Sequence, residues 1–184
     1  MTNTYHLTIS QLTQADMHSV NRLFEASITD AFVQEGLGHL QEDIQQEIES
    51  KKRMVEESLD PTITDTWFLL AKVKEVVVGT ISVAPCGEVI RSCTEHRLDD
   101  VSELGSLYVL PSYQSQGIGS TLIQAMVSFL DKKGTDRFCL DSGYKRAQAR
   151  WLRKFGMPYL TVPDYWGPGS DHMIWLCKVK DYLE

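Results

Sequence analysis

Apolar and polar positions along the chain change period repeatedly, and the changes predict alternating strands and helices. Residues 5–11, starting at Tyr5, alternate as a half-buried strand does. Residues 13–27 then place Met17, Val20, Leu23 and Phe24 at helical spacing, and a second helix is predicted over residues 39–59. That second helix is polar over most of its turns, with Leu40, Ile44, Ile48 and Met54 as a thin apolar side, so it belongs on the surface. Residues 67–73 and 76–83 are β-rich runs separated by Lys74-Glu75, which reads as a hairpin. Residues 84–101, with Pro85 and Gly87, read as an extension of that hairpin.

Residues 103–110 form another strand, followed by Pro111 and a glycine-bearing turn. Ile118, Leu122, Ile123, Met126, Val127 and Leu130 then make an apolar stripe along a helix over residues 118–132, which must pack on a sheet. Lys132-Lys133-Gly134 stops it, because cations suit the negative helix end and glycine lets the chain leave. A strand over 136–141, a short helix over 146–155 ended by Gly156, and a last strand over 171–179 complete the pattern. Residues 158–169, rich in Pro, Gly, Tyr and Trp, read as a large loop around one short strand.

Composition narrows the class. A chain of 184 residues, 42% of them hydrophobic and without repeats, is expected to form one domain around one core. The net charge of −7 is uneven: residues 1–66 hold 12 acids against Arg22, Lys51, Lys52 and Arg53, and the remainder is close to neutral. A nucleic acid partner is therefore not expected, and a cationic one is easier to accommodate beside the acidic part, whose charges read equally as a solvated helix face. The chain has no apolar run of membrane-spanning length, and its start lacks the basic and apolar segments of a secretory signal. No membrane association and a cytoplasmic location are expected. Cys86, Cys93, Cys139 and Cys177 contain no Cys-x-x-Cys pair and read as free thiols, and Cys93-x-x-His96 has no companion pair, so no metal site is expected.

The informative chemistry lies after the strand over 103–110. Gly117 and Gly119 sit in a turn that feeds a helix directly, where unpaired amides and the positive dipole end suit a phosphate. This is neither a Walker loop, which needs Gly-Lys-Ser/Thr, nor a dinucleotide fingerprint, since no glycine completes Gly-x-Gly-x-x-Gly after Gly119. On the glycines alone, a tight turn that binds nothing fits equally well.

Gln114-Ser115-Gln116-Gly117-Ile118-Gly119, preceded by Leu107-Tyr108-Val109-Leu110-Pro111, resembles the acetyl-CoA signature of the GNAT superfamily of N-acetyltransferases. The resemblance extends in element order over most of the chain and at motif level over about residues 102–158. It implies an α/β fold with a central, mixed but mainly antiparallel sheet flanked by helices. It also implies acetyl-CoA as cosubstrate, with the pantetheine arm along Leu107, Tyr108 and Val109. The pyrophosphate would rest on the amides of Gln114, Ser115, Gln116, Gly117, Ile118, Gly119 and Ser120.

The family transfers acetyl by direct attack of an amine on the thioester, so the protein supplies positioning and proton transfer. Glu103, at the head of the strand and by period two on the same face as Gly105, Leu107 and Val109, is the candidate base, and a solvated strand end is its other reading. The family's general-acid tyrosine has no counterpart: aligned on Gly156, its position holds Leu152, preceded by Trp151. Tyr144 and Tyr159 are nearby phenols, and Lys145 replaces a common asparagine. His172, after the aromatic stretch at Tyr165-Trp166, reads either as a second base or as a structural histidine bonded within its strand. The reading is thus an N-acetyltransferase acting on a small-molecule amine. A protein or peptide N-terminus, or a catalytically silent CoA-binding sensor, are the alternatives, and a homodimer is left open.

Overall fold

The computed structural model describes residues 6–183. Its seven strands are β1 (Leu7–Gln11), β2 (Trp67–Val73), β3 (Val76–Ala84), β4 (Ser102–Val109), β5 (Arg137–Ser142), β6 (Leu160–Val162) and β7 (His172–Lys178). Five helices accompany them: α1 (Met17–Gln34), α2 (Gln41–Ser58), α3 (Glu88–Cys93), α4 (Ile118–Lys132) and α5 (Lys145–Phe155). The strands form one mixed sheet in the order β1-β2-β3-β4-β5-β7-β6, with β4 and β5 parallel and the β1–β2, β5–β7 and β6–β7 pairs antiparallel. This is the α/β architecture that the resemblance implies. By compactness the chain divides into two units: residues through Ser82 with Ser106–Met126, and Val83–Gly105 with the residues from Val127 onward.

In the first unit the hairpin between β2 and β3 turns on Lys74 and Glu75, both left-handed at φ +49° and +65°, as a two-residue turn matched to strand twist requires. The strand read from Tyr5 begins at Leu7, and Tyr5 itself lies outside the described residues. The first helix runs on to Gln34, seven residues past the expected end, because Ile28 and Phe32 continue its buried face. It is entered through Thr13, whose amide and hydroxyl donate to Asp16 Oδ2 at 2.9 and 2.8 Å. Burial opposes ionisation of Asp16, but the Lys72 ammonium at 2.6 Å and the Thr13 donors outweigh it and hold the carboxyl below its usual range. Helix α2 buries Ile44, Ile48 and Val55 and turns Glu42, Asp43, Glu49, Glu56 and Glu57 to solvent, so part of the acid excess is a solvated face.

The second unit corrects one expectation. Residues 84–101 are not a hairpin extension: after Gly87 they fold into α3 and a following turn. Ile90, Leu98 and Val101 are buried there with Cys86, Cys139 and Ile174. The four cysteines are free, and burial pushes the Cys177 thiol up to about 11. Among the described residues no helix is long and apolar enough to cross a membrane, and no group of three metal-ligating side chains is assembled.

Candidate active site

Strand β4 carries two of the predicted features, and its backbone is not regular. Ser106 stands at φ +48°, a conformation that L residues adopt rarely, so alternation stops there. The period-two argument that put Glu103 on one face with Leu107 and Val109 does not carry across this residue. The division into units also falls here, leaving Glu103 in the second unit and Leu107, Tyr108 and Val109 in the first.

Within the first unit, β4 leads through Pro111–Tyr113, a single 3-10 turn, into residues 114–117 and then α4. The turn is braced from inside: the Gln114 side-chain amide donates to the Val109 carbonyl at 3.2 Å, and that of Gln116 to the Ser112 carbonyl at 3.0 Å. Ser115 and Gly117 are left-handed at φ +60° and +84°, and the helix starts at once with Ile118. Such a turn aims successive amides to one side, and the first helical amides lack intrahelical acceptors. A Cβ built on Gly117 or Gly119 meets nothing within 4 Å, so both glycines border open space. Helix-start amides beside open space at a positive helix end suit a pyrophosphate.

Sequence reasoning missed the residue that seats this turn. A Cβ on Gly79, in β3, would lie 2.9 Å from the Leu122 side chain, 3.2 Å from Ile118 and 3.3 Å from the Tyr108 carbonyl. Its absence lets the first turn of α4 lie close on β3, and a lone glycine inside a β-branched run was the available signal. Tyr108, expected to bind cofactor, also ties β4 to the helices: its hydroxyl donates to Glu47 Oε1 at 3.1 Å and its ring meets Phe24 edge-on at 5.7 Å.

Within the second unit, Glu103 is half-buried, and its Oε2 accepts the Gly87 N–H at 2.7 Å. A Cβ at Gly87 would clash with that oxygen, so this glycine, also overlooked, lets the carboxylate lie against the backbone. Burial, and then the neighbouring Glu103 charge, push the Cys86 thiol up; burial does the same to Cys139, reinforced by Cys86 and Glu103. The carboxylate therefore lies among protonated thiols.

Tyr144 is half-buried at the N-cap of α5, its amide N–H donating to Ser142 Oγ at 3.0 Å. Leu152 is 38% exposed, and Tyr159 is exposed and near Arg97. His172 is buried, with Nε2 3.0 Å from Asp141 Oδ2 and Nδ1 receiving the Trp166 indole N–H at 3.0 Å. Cys93 and His96 engage separate partners, the Tyr165 hydroxyl and Asp99.

Comparison with known proteins bears on this geometry. The model of the Acetyltransferase (GNAT) family matches residues 29–157. Among curated proteins none matches in sequence. Among solved structures, PaiA N-acetyltransferase from Thermoplasma acidophilum in complex with coenzyme A is 18% identical with a TM-score of 0.66, covering 94% of this chain and 99% of that one. An aminoglycoside 6′-acetyltransferase type Ii is 16% identical with a TM-score of 0.65, covering 94% and 97%. The ribosomal-protein-S18-alanine N-acetyltransferase of Escherichia coli is 15% identical with a TM-score of 0.61, covering 95% and 94%. At these identities the likeness is one of fold.

Proposed function

Since this chain belongs to the GNAT acetyltransferase family, whose donor is acetyl-CoA, we propose that it acetylates the primary amine of a small molecule. The observation that carries the reading is the left-handed turn at Ser115 and Gly117, open at both glycines and leading straight into α4. Acetyl-CoA supplies an activated thioester carbonyl. The amides of residues 114–120 hold its pyrophosphate, and the backbone of Leu107, Tyr108 and Val109 receives the pantetheine arm.

An ammonium has no lone pair for attack, so a base must first take its proton. Glu103 performs this step, directly or through water: its carboxylate accepts the Gly87 backbone N–H and lies among neutral thiols in the geometry given above. Leu152 has no proton to give the departing thiolate, and Tyr144, a phenol at the head of the same helix, takes that part. The acidic face of α2 favours acceptors that arrive as cations. A basic peptide N-terminus meets the same field, and the fold is shared with an enzyme named for a ribosomal-protein alanine as well as with one named for aminoglycosides, so this is the second reading.

Release of free thiol from acetyl-CoA, measured against polyamines, amino acids, aminoglycosides and short peptides, tests the activity and selects between the acceptors. Glu103→Gln should lower kcat by about a hundredfold while acetyl-CoA affinity stays within about twofold. A change in kcat below about threefold removes Glu103 from the reaction. Acetyl-CoA binding with no thiol release across the panel would favour the silent sensor.

A further inference from the structure

His172 is 3% exposed at the start of β7, yet both of its ring nitrogens make directed bonds. An indole N–H can only donate, so Nδ1, 3.0 Å from Trp166 Nε1, is the unprotonated nitrogen. The ring proton is then on Nε2 and is donated to Asp141 Oδ2 at 3.0 Å. An imidazolium would set a second N–H against that of Trp166. The single lone pair of the neutral ring is thus already taken by Trp166, whereas a base needs one open to the acceptor.

What this chain of bonds holds in place is the indole. A Cβ on Gly143 would fall 2.7 Å from Trp166 Cδ1, so the indole is seated against a residue without a side chain. The surrounding loop is braced from several directions. Asp164 Oδ1 accepts the Gly169 N–H at 2.6 Å, Asp171 Oδ1 accepts that of Asp164 at 3.0 Å, and the Trp166 amide donates to the Ser170 carbonyl at 3.0 Å. Despite this anchoring Trp166 remains 57% exposed, beside Tyr165 at 4.8 Å between ring centres and nearly perpendicular to it. A large aromatic pair that is immobilised and still faces solvent is the usual composition of a recognition surface, since little entropy is left to lose on contact.

We propose that Asp141, His172 and Trp166 form a positioning relay, and that the Trp166–Tyr165 pair it holds recognises the apolar body of the acceptor amine. The recognition half rests on the amine acetylation argued above. His172 is a positioning residue and exchanges no proton with the acceptor.

Glutamine preserves one acceptor and one donor at position 172, and phenylalanine removes both. With an accepted amine, His172→Phe should raise the acceptor KM about tenfold while kcat and the KM for acetyl-CoA stay within about threefold. His172→Gln should return the acceptor KM to within about threefold of the parent. In nitrogen-15 spectra the parent His172 should be the Nε2–H tautomer. The Trp166 indole N–H, assigned by its loss in Trp166→Phe, should exchange slowly in the parent and His172→Gln and rapidly in His172→Phe. If His172→Phe does not fold, Trp166→Phe and Trp166→Ala replace it, and both should raise the acceptor KM with kcat retained, alanine more.

A kcat loss shared equally by His172→Gln and His172→Phe would make His172 a proton-transfer group and overturn the proposal. A ring protonated on Nδ1, or an unchanged acceptor KM in a folded variant lacking the relay, would overturn it equally. Should no amine be acetylated even by the parent, the acetylation reading and the recognition half fall together, and the tautomer and indole exchange decide the relay by themselves.

Discussion

Two glycine-bearing loops carry most of the functional argument, and they are built on opposite plans. The donor turn at residues 114–117 is shaped by its own backbone: Ser115 and Gly117 are left-handed, and side-chain amides of Gln114 and Gln116 bond carbonyls four or five residues earlier. The aromatic loop at residues 163–171 has local braces too, but its central side chain is placed by Asp141 and Gly143, far away in sequence, together with His172 just beyond the loop. The first loop presents backbone and borders open space at Gly117 and Gly119. The second presents two aromatic rings. A phosphate is bound well by amides, and an apolar body by rings, so each plan suits the ligand assigned to it.

Substitution of one glycine in each loop breaks the comparison most sharply. Gly117→Val puts a β-branched residue at φ +84° and a side chain into the open space beside the turn, and acetyl-CoA affinity measured by calorimetry should fall about a hundredfold or more in a protein that still folds. Unchanged affinity would remove the turn from donor binding. Gly143→Ala drives a methyl into the Trp166 indole, and the acceptor KM should rise about tenfold with donor affinity within about twofold. Equal loss of donor and acceptor affinity in either variant would show that the two loops do not divide the work.

A smaller effect sharpens the contrast. Asp164→Ala removes the acceptor for the Gly169 N–H and leaves alanine at φ +53°, which together should destabilise the loop by about 1–3 kcal/mol. Because that loss is confined to a surface segment, the melting temperature should move by only a few degrees, about 2–4 °C, while the acceptor KM rises about threefold. A melting shift several times larger would mean that the loop is integral to the core and not an appended recognition surface.

Much of the donor turn was legible in the order of residues because the bonds of Gln114 to Val109 and of Gln116 to Ser112 that brace it are local. The helix over 118–132 was placed to the residue, its six apolar positions are all buried, and the turn before it could be recognised from Gln114, Gly117 and Gly119. The hairpin at Lys74-Glu75 was legible for the same reason. The α3 segment was misread, because its apolar residues are few and sit among turn formers, so pattern favoured neither period.

What only the tertiary structure decided depends on pairs distant in sequence. Alternation cannot foresee that Ser106 leaves the strand conformation and interrupts the face that Glu103 was assigned to. Spacing cannot show that Gly79, Gly87 and Gly143 are small because Leu122, Glu103 and Trp166 respectively lie against them, since each reason arrives from another element. The sequence determined that His172 would be either a base or a structural ring. The choice rests on which neighbours take its two nitrogens, Trp166 and Asp141, and a hydrogen-bond partner 31 residues away has no signature in local pattern.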